Sequence, residues 1–467
     1  MSRRLVSSPR FRSLRALLGA CGVVVAGSFA LAGGFGGGGG NGFFNNVGGV
    51  KIDADGVVSD SVIADRGEYV ELLRRAIKPA EGELGDSTEM RMVSLKGLEQ
   101  AIRAANVKQT DELPAEIRYL AGLQRIQYVF VYPERQDIVL AGPAEGWVVS
   151  ETGDIVGITT GRPVLQLDDL MTALQTSRAA GEGYGISVSI DPTQEGRVRY
   201  NNFVSRLTAQ QLRAATAQVL EGAKQAMGQQ QISLTGVPAE SRFARVLVAA
   251  DYQMKRLAMD LQEAPVDDLP SYLDMMARRR SARGGNVEPR WWLACDYEPI
   301  ARSEDGMAFE LRGQGVKAMT EDEFVTAEGG VEATGRANPI AQQWADKMTE
   351  RYEELCSAEP IFGDLRNLMD MAVVAALIDK HRLVETSGAE LPLLTGAEPM
   401  GSLVWPVPRS LSTQCSVMKV GNNLVLTASG GVQVDSWGVI ENEQVDSMVS
   451  VTRSKADSVG MGRWWWN

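Results

Sequence analysis

GLQRIQYVFVYPERQDIVLAGPAEGW, residues 122–147, decides the fold. Ile126, Tyr128, Phe130 and Tyr132 alternate with Gln127, Val129 and Val131, and Pro133 stops the run. A two-residue period carried by aromatic and β-branched side chains predicts a strand. Ile138–Ala141, Gly146–Ser150 and Ile155–Thr159 follow at hairpin spacing, with turn residues between them. The expectation is an antiparallel meander.

Helices flank this region on both sides. Ser94 is an N-cap ahead of Leu95, Leu98, Ile102 and Ala105. Asp168 is expected to cap a helix through Leu170, Met171, Ala173 and Leu174, and Gly185–Ile190 returns as a strand. Thr208 and Gln211 make a capping box. Gln231–Thr235 reads as a short strand, and Ser241 opens an amphipathic helix through Phe243, Val246, Leu247, Ala250 and Met254. Arg290–Tyr297 and Met307–Met319 are expected to pair as strands. Asn338-Pro339 starts a helix, and Pro360 separates it from Leu365–Ile378. The latter is apolar almost all round but shorter than the roughly 20 residues of a membrane span, which predicts a central core helix. The last 70 residues look β-rich, with Leu424–Ala428 and Gly431–Val439 joined by a turn at Ser429-Gly430. The expected fold class is α+β: an N-terminal lobe (50–205) holding the meander, a helix-rich lobe (206–395) and a C-terminal β region (396–467).

The front of the chain reads as an address. Residues 1–32 hold five Arg and no acid, then an uncharged stretch from Ala16 that ends in Ala30-Leu31-Ala32. A basic n-region, an apolar h-region and a small-x-small ending predict a signal peptide cut between Ala32 and Gly33. The alternatives are an uncleaved anchor, or lipidation at Cys21 within Leu18-Gly19-Ala20-Cys21. Residues 33–49, with ten Gly in seventeen positions, read as a flexible leader. Cleavage would leave 42 Lys+Arg against 59 Asp+Glu, a net charge of −17. That balance argues against nucleic acid as partner, because phosphate contacts need a positive surface. The run Arg278-Arg279-Arg280 beside Gly284-Gly285 reads as a solvated loop.

Composition also removes familiar chemistries. The 467 residues include one His, His381, so any site needing two imidazoles is excluded. Three Cys survive cleavage, Cys295, Cys356 and Cys415, which allows one disulfide at most or three isolated buried thiols. No Walker A loop, GxSxG or GxGxxG opening a βα unit occurs, and no metal or cofactor is expected.

The remaining motifs are short. Gly85-Asp86-Ser87-Thr88 is similar to the start of a GDSL esterase block but lacks a preceding strand, and His381 would have to be its base. Ser416 and Lys419 match S-x-x-K inside a strand-like pattern, where a spacing of three points the side chains to opposite faces. Gly161-Arg162-Pro163-Val164 before the Asp168 helix is similar to a segment of PDZ modules, without their carboxylate-binding loop. Glu288, Asp296 and Glu298 flank Trp291 and Trp292, the mix a sugar cleft uses, and strand-end surface charge is the plainer account. Asp251 and Asp370 sit within apolar helices, either exposed or buried against Arg. The tail Trp464-Trp465-Trp466 is expected to dock on the protein's own body.

Four runs, 122–147, SRFARVLVAADYQMKRLAMDL (241–261), AFELRGQGVKAMTEDE (308–323) and PIFGDLRNLMDMAVVAALI (360–378), resemble a secreted family of planctomycete bacteria that carries a domain of unknown function. The resemblance implies export and a shared architecture, and it supplies no activity, cofactor or catalytic residue. Together these readings favour an exported, non-enzymatic protein of the periplasm, cell envelope or exterior. Its partner would be an envelope or extracellular protein or polysaccharide. The alternative is an envelope-directed hydrolase using a carboxylate pair or a Ser with His381.

Overall fold

Short polar side chains open many of the helices. Ser94, Thr193, Thr208 and Ser241 each accept a bond from the backbone N–H three residues on, at 2.8, 3.0, 3.2 and 3.1 Å. Asn338 accepts one from Ile340 N at 2.8 Å. Each satisfies an N–H that the first helical turn leaves without an intrahelical partner. Asp168 does not act this way. The helix Leu167–Ala179 starts earlier, at Gln166, and Asp168 lies in its first turn, where a negative charge faces the positive end of the helix dipole. Leu165 and Leu167 are both buried, and anchoring them sets the earlier start.

The computed structural model describes residues 46–47, 50–53, 55–60, 63–279, 287–326, 330–417, 425–427, 429–459 and 465–467. The expected signal peptide with its cut at Ala32-Gly33, Cys21, most of the Gly-rich leader, Arg280, Lys419 and Trp464 lie outside them. Helices make up 45% and strands 25% of the structure, an α+β fold without a closed barrel. Residues 43–467 form one compact unit.

Two sheets organise that unit. The larger has ten strands in the spatial order Asn46–Val47, Val50–Ile52, Val57–Asp60, Ser410–Ser412, Gln229–Thr235, Ile186–Pro192, Ser429–Val434, Val287–Asp296, Gly315–Val325 and Val331–Ala333. The smaller has six: Glu443–Val445, Ile300–Arg302, Ala308–Glu310, Tyr128–Tyr132, Asp137–Ala144 and Thr88–Ser94. The stretch quoted first supplies the centre of the smaller sheet. Its two strands pair antiparallel from Tyr128↔Ala141 to Tyr132↔Asp137. Trp147–Val149 and Ile155–Gly157 form a hairpin of their own. They separate because the end of the preceding strand bonds elsewhere, with Gln124 N donating to Pro143 O and Glu145 N to Gly122 O.

Three further elements differ from expectation. Val287–Asp296 pairs with Gly315–Val325, while Ala308–Glu310 crosses to the smaller sheet. Gly313 and Gly315, at φ +99° and +92°, turn the chain between the two sheets. Ser429 and Gly430 lie within a strand of the larger sheet and not at a turn. The C-terminal region carries its strands and also two helices, Ser436–Glu441 and Ser447–Val459.

The core lies between the sheets and the helices. Val188, Ile190, Trp291, Leu293, Ala318 and Val432 form the apolar face of the larger sheet, against helices Arg242–Ala258 and Pro339–Glu350. Trp291 meets Trp344 and Tyr272 edge-on, with ring centroids 5.5 and 5.0 Å apart. The central helix Pro360–Lys380 is buried at every position from Ile361 to Ile378. Among the described residues, no helix is long and apolar enough to cross a membrane. The tail docks on the body, as expected. Trp465 O accepts from Ser94 N at 2.8 Å, Trp466 bridges to Val93, and Arg91 lies 5.3 Å over the Trp466 ring.

Candidate functional site

The candidates read from sequence fall into separate places. His381 is committed to Glu443, 2.7 Å from its Nε2, and packs on Phe309 with centroids 4.9 Å apart. Ser87 is exposed just ahead of the Thr88–Ser94 strand, and Ser416 lies on the short strand Cys415–Val417. Asp370 and Asp251 are both wholly buried and paired, Asp370 with Arg125 and Asp251 with Lys255 at 2.7 Å. Lysine replaces the arginine expected at Asp251. The three thiols of Cys295, Cys356 and Cys415 are free, and no disulfide joins them.

The two neighbouring tryptophans part company. Trp291 belongs to the core, whereas Trp292 points to the opposite, polar face of the larger sheet. Strand alternation builds that face, because successive side chains point to opposite sides. Register aligns Thr235, Ser187 and Gln433 with Ala294 and Lys317 in one row. The next row runs Ser233, Ser189, Gly431, Trp292, Met319. A third runs Gln231, Asp191 on one side, and Ser429, Arg290, Glu321 on the other. Hydroxyls and amides dominate the first two rows, and Trp292 is the large aromatic surface among them.

Glycine opens the centre. A Cβ on Gly430 would fall 1.6 Å from Trp291 O, and one on Gly431 1.9 Å from Val188 O. The strand Ser429–Val434 therefore passes between its neighbours without side chains at these two positions. A shallow groove of about 520 Å³ results, lined by Ser187, Ser189, Arg290, Trp292, Gln433 and Asp435, with Glu321 at its side. Arg290 lies 5.9 Å over the Trp292 ring and donates to Glu323 at 3.3 Å, so the ring is steadied on one side. Ser187 and Thr235 share a hydrogen bond of 2.9 Å across the strands.

Residues 188–272 match the DUF1598 family, described as a protein of unknown function. The matched DUF1598 segment includes most of one groove strand, the whole Gln229–Thr235 strand beside it, and the helix Arg242–Ala258 beneath. It supplies Ser189, Asp191, Gln231, Ser233 and Thr235 to the open face. Neither the search of curated proteins nor that of solved structures returned a match.

Sequence reasoning noticed Trp292 but could not separate it from Trp291, and it passed over the serines. Their signal was present. Ser187-Val188-Ser189-Ile190 and Gln231-Ile232-Ser233-Leu234-Thr235 alternate polar with apolar, the mark of strands with one solvated face.

Proposed function

We propose that this chain is an exported, non-enzymatic binding protein that holds a neutral polysaccharide on the open face of its larger sheet. The observation that carries the reading is Trp292, a half-buried aromatic side chain on the polar sheet face near Ser187, Ser189 and Gln433, beside a groove opened at Gly431. A flat ring packs against the apolar face of a sugar, and hydroxyls and amides meet its hydroxyl edge. The acidic balance of the chain disfavours polyanionic glycans, which supports a neutral one. Export is part of the same proposal and rests on residues 1–32.

The test is retention of the mature chain on a panel of neutral insoluble polysaccharides, wild type beside Trp292→Ala. Retention lost in the variant, with an unchanged thermal midpoint, supports the reading. Equal retention by both, or none by either, overturns it. The hydrolytic alternative draws on Glu321 and Asp435, which both line the groove, and release of reducing ends in the same incubations would favour it.

A further inference from the structure

A second cavity includes Arg242, at the start of the Arg242–Ala258 helix, and shares no lining residue with the groove. It is about 70 Å³, lined by Thr110, Arg118, Tyr119, Asp168, Arg242 and Trp405 among others. One water takes roughly 10–15 Å³ on this measure, so the space holds a few heavy atoms and no polymer.

Its polar groups are unevenly matched. Arg242 is engaged on both sides, by Asp169 and by Asp364, the latter at 2.7 Å. Arg118 donates to the Asp111 carbonyl at 3.3 Å and lies 5.5 Å over the Tyr119 ring. Asp154, at the rim, accepts from Thr152 at 2.7 Å. Asp168 Oδ1 has no hydrogen-bond partner despite being shut off from solvent. Thr110, only 2% exposed, faces the Asp168 carboxylate closely enough to oppose the rise that burial imposes on its pKa, but the two form no well-aligned hydrogen bond. Around the cavity stand Asp111, Asp154, Asp168 and Asp364 against Arg118 and Arg242, with Asp169 beside them drawn toward its neutral form, so carboxylates still outnumber cations. An unsatisfied buried carboxylate oxygen is costly, and the group that satisfies it best is a positively charged donor.

We infer that this cavity binds a small primary ammonium compound, its –NH₃⁺ donating to Asp168 Oδ1 and Thr110 Oγ1. The short alkyl part would rest against Leu73, Ile77 and Leu403, which also line the cavity. Tyr119 and Trp405 also line the cavity, each with an arginine, Arg118 and Arg245, already over its ring. Nothing in this inference depends on the polysaccharide reading.

The experiment is calorimetric titration of the mature chain with butylammonium chloride, with n-butanol as the uncharged analogue. Saturable binding in the millimolar range or tighter is expected for the amine and not for the alcohol. Asp168→Asn should weaken it at least tenfold and Thr110→Val severalfold, with thermal midpoints monitored to confirm folding. Trp292→Ala should leave it unchanged. Absence of saturable binding, equal binding of the alcohol, or undiminished binding to folded Asp168→Asn would each overturn the inference.

Discussion

Arg125 and Asp370, 245 residues apart in the chain, meet face to face: Nε to Oδ2 at 3.0 Å and Nη2 to Oδ1 at 3.2 Å. Arg125 precedes the Tyr128–Tyr132 strand of the smaller sheet, and Asp370 sits in the middle of the central helix. Tyr297, just past the end of a strand in the larger sheet, donates to the same carboxylate at 2.6 Å. One buried carboxylate thus ties both sheets to the core helix. Burial disfavours the Arg125 charge, and Asp370 more than offsets that, so the guanidinium stays firmly ionised.

Removing Asp370 would strand Arg125 and the Tyr297 hydroxyl without their partner. Breaking a buried pair from one side costs about 3–5 kcal/mol. Asp370→Ala should lower the urea unfolding free energy by that amount. In a double-mutant cycle with Arg125→Ala, the two losses should fall short of additive by roughly 0.5–3 kcal/mol. Additive losses would show that the pair is a contact without coupling.

Asp169 gives stability an unusual pH dependence. Burial raises its pKa, Arg242 opposes, and Asp364 and Asp168 add to the rise, leaving it pushed up to about 7. One arginine shared by two buried acids makes a held proton reasonable. Between the unfolded pKa, about 4, and this raised value the native state binds a proton that the unfolded chain does not, so stability falls as pH rises through that window. The urea midpoint should be higher at about pH 5.5 than at about pH 7.5, and Asp169→Asn should flatten the difference. Glu145 and Glu443 act in another window. Burial raises each, but Thr159 and Thr160 around Glu145, and Lys380 and His381 around Glu443, outweigh it and hold both below the ordinary value. Their contribution is lost only as pH drops below about 4.5. A midpoint that rises from about pH 5.5 to 7.5 would remove Asp169 from this role.

Local signals carried much of this fold because they report local chemistry. Ser94, Thr208, Ser241 and Asn338 were readable as caps, since a cap is decided within three residues. The strand around Phe130 and the largely apolar helix at Leu365–Ile378 were readable from periodicity. What failed was pairing across distance. Met307–Met319 reads as one strand, but two glycines divide it between sheets. Ser429-Gly430 reads as a turn, because the tight approach of Trp291 and Val188 that demands glycine there comes from strands far away in sequence. The groove follows the same rule: Ser189 and Trp292 are over a hundred residues apart and meet only through the register of three strands.

The thiols should be silent in the native protein. Burial pushes Cys356 up to about 11 and Cys295 up to about 12. Cys295 shares a sheet face with Trp291 and Leu293, so its sulfur lies toward the core. A reactive cysteine needs thiolate and access; Cys356 has neither, and the half-buried Cys295 lacks the thiolate. Titration of residues 33–467 with an aromatic disulfide reagent should find at most a slow, sub-stoichiometric reaction before denaturation and three thiols after it. Prompt native labelling of one thiol, mapped to Cys295 or Cys356, would contradict the burial argument.

Two glycines should respond to alanine in opposite directions. Gly430 has φ +148°, and a Cβ there would lie 1.6 Å from Trp291 O, part of a strand backbone that cannot swing aside. Gly430→Ala should therefore pull the Ser429–Val434 strand from the middle of the larger sheet, and the loss should exceed the roughly 4 kcal/mol that marks an exceptional substitution. Gly67 lies exposed within the helix Ile63–Ala76, and no heavy atom stands within 4 Å of its would-be Cβ. There alanine only restricts the unfolded chain and favours the helix, a gain of about 0.5–1 kcal/mol. Urea unfolding of both variants beside wild type measures the two shifts. A mild effect at Gly430 would mean that the strand tolerates sliding between its neighbours and that the close approach to Trp291 O does not fix it there.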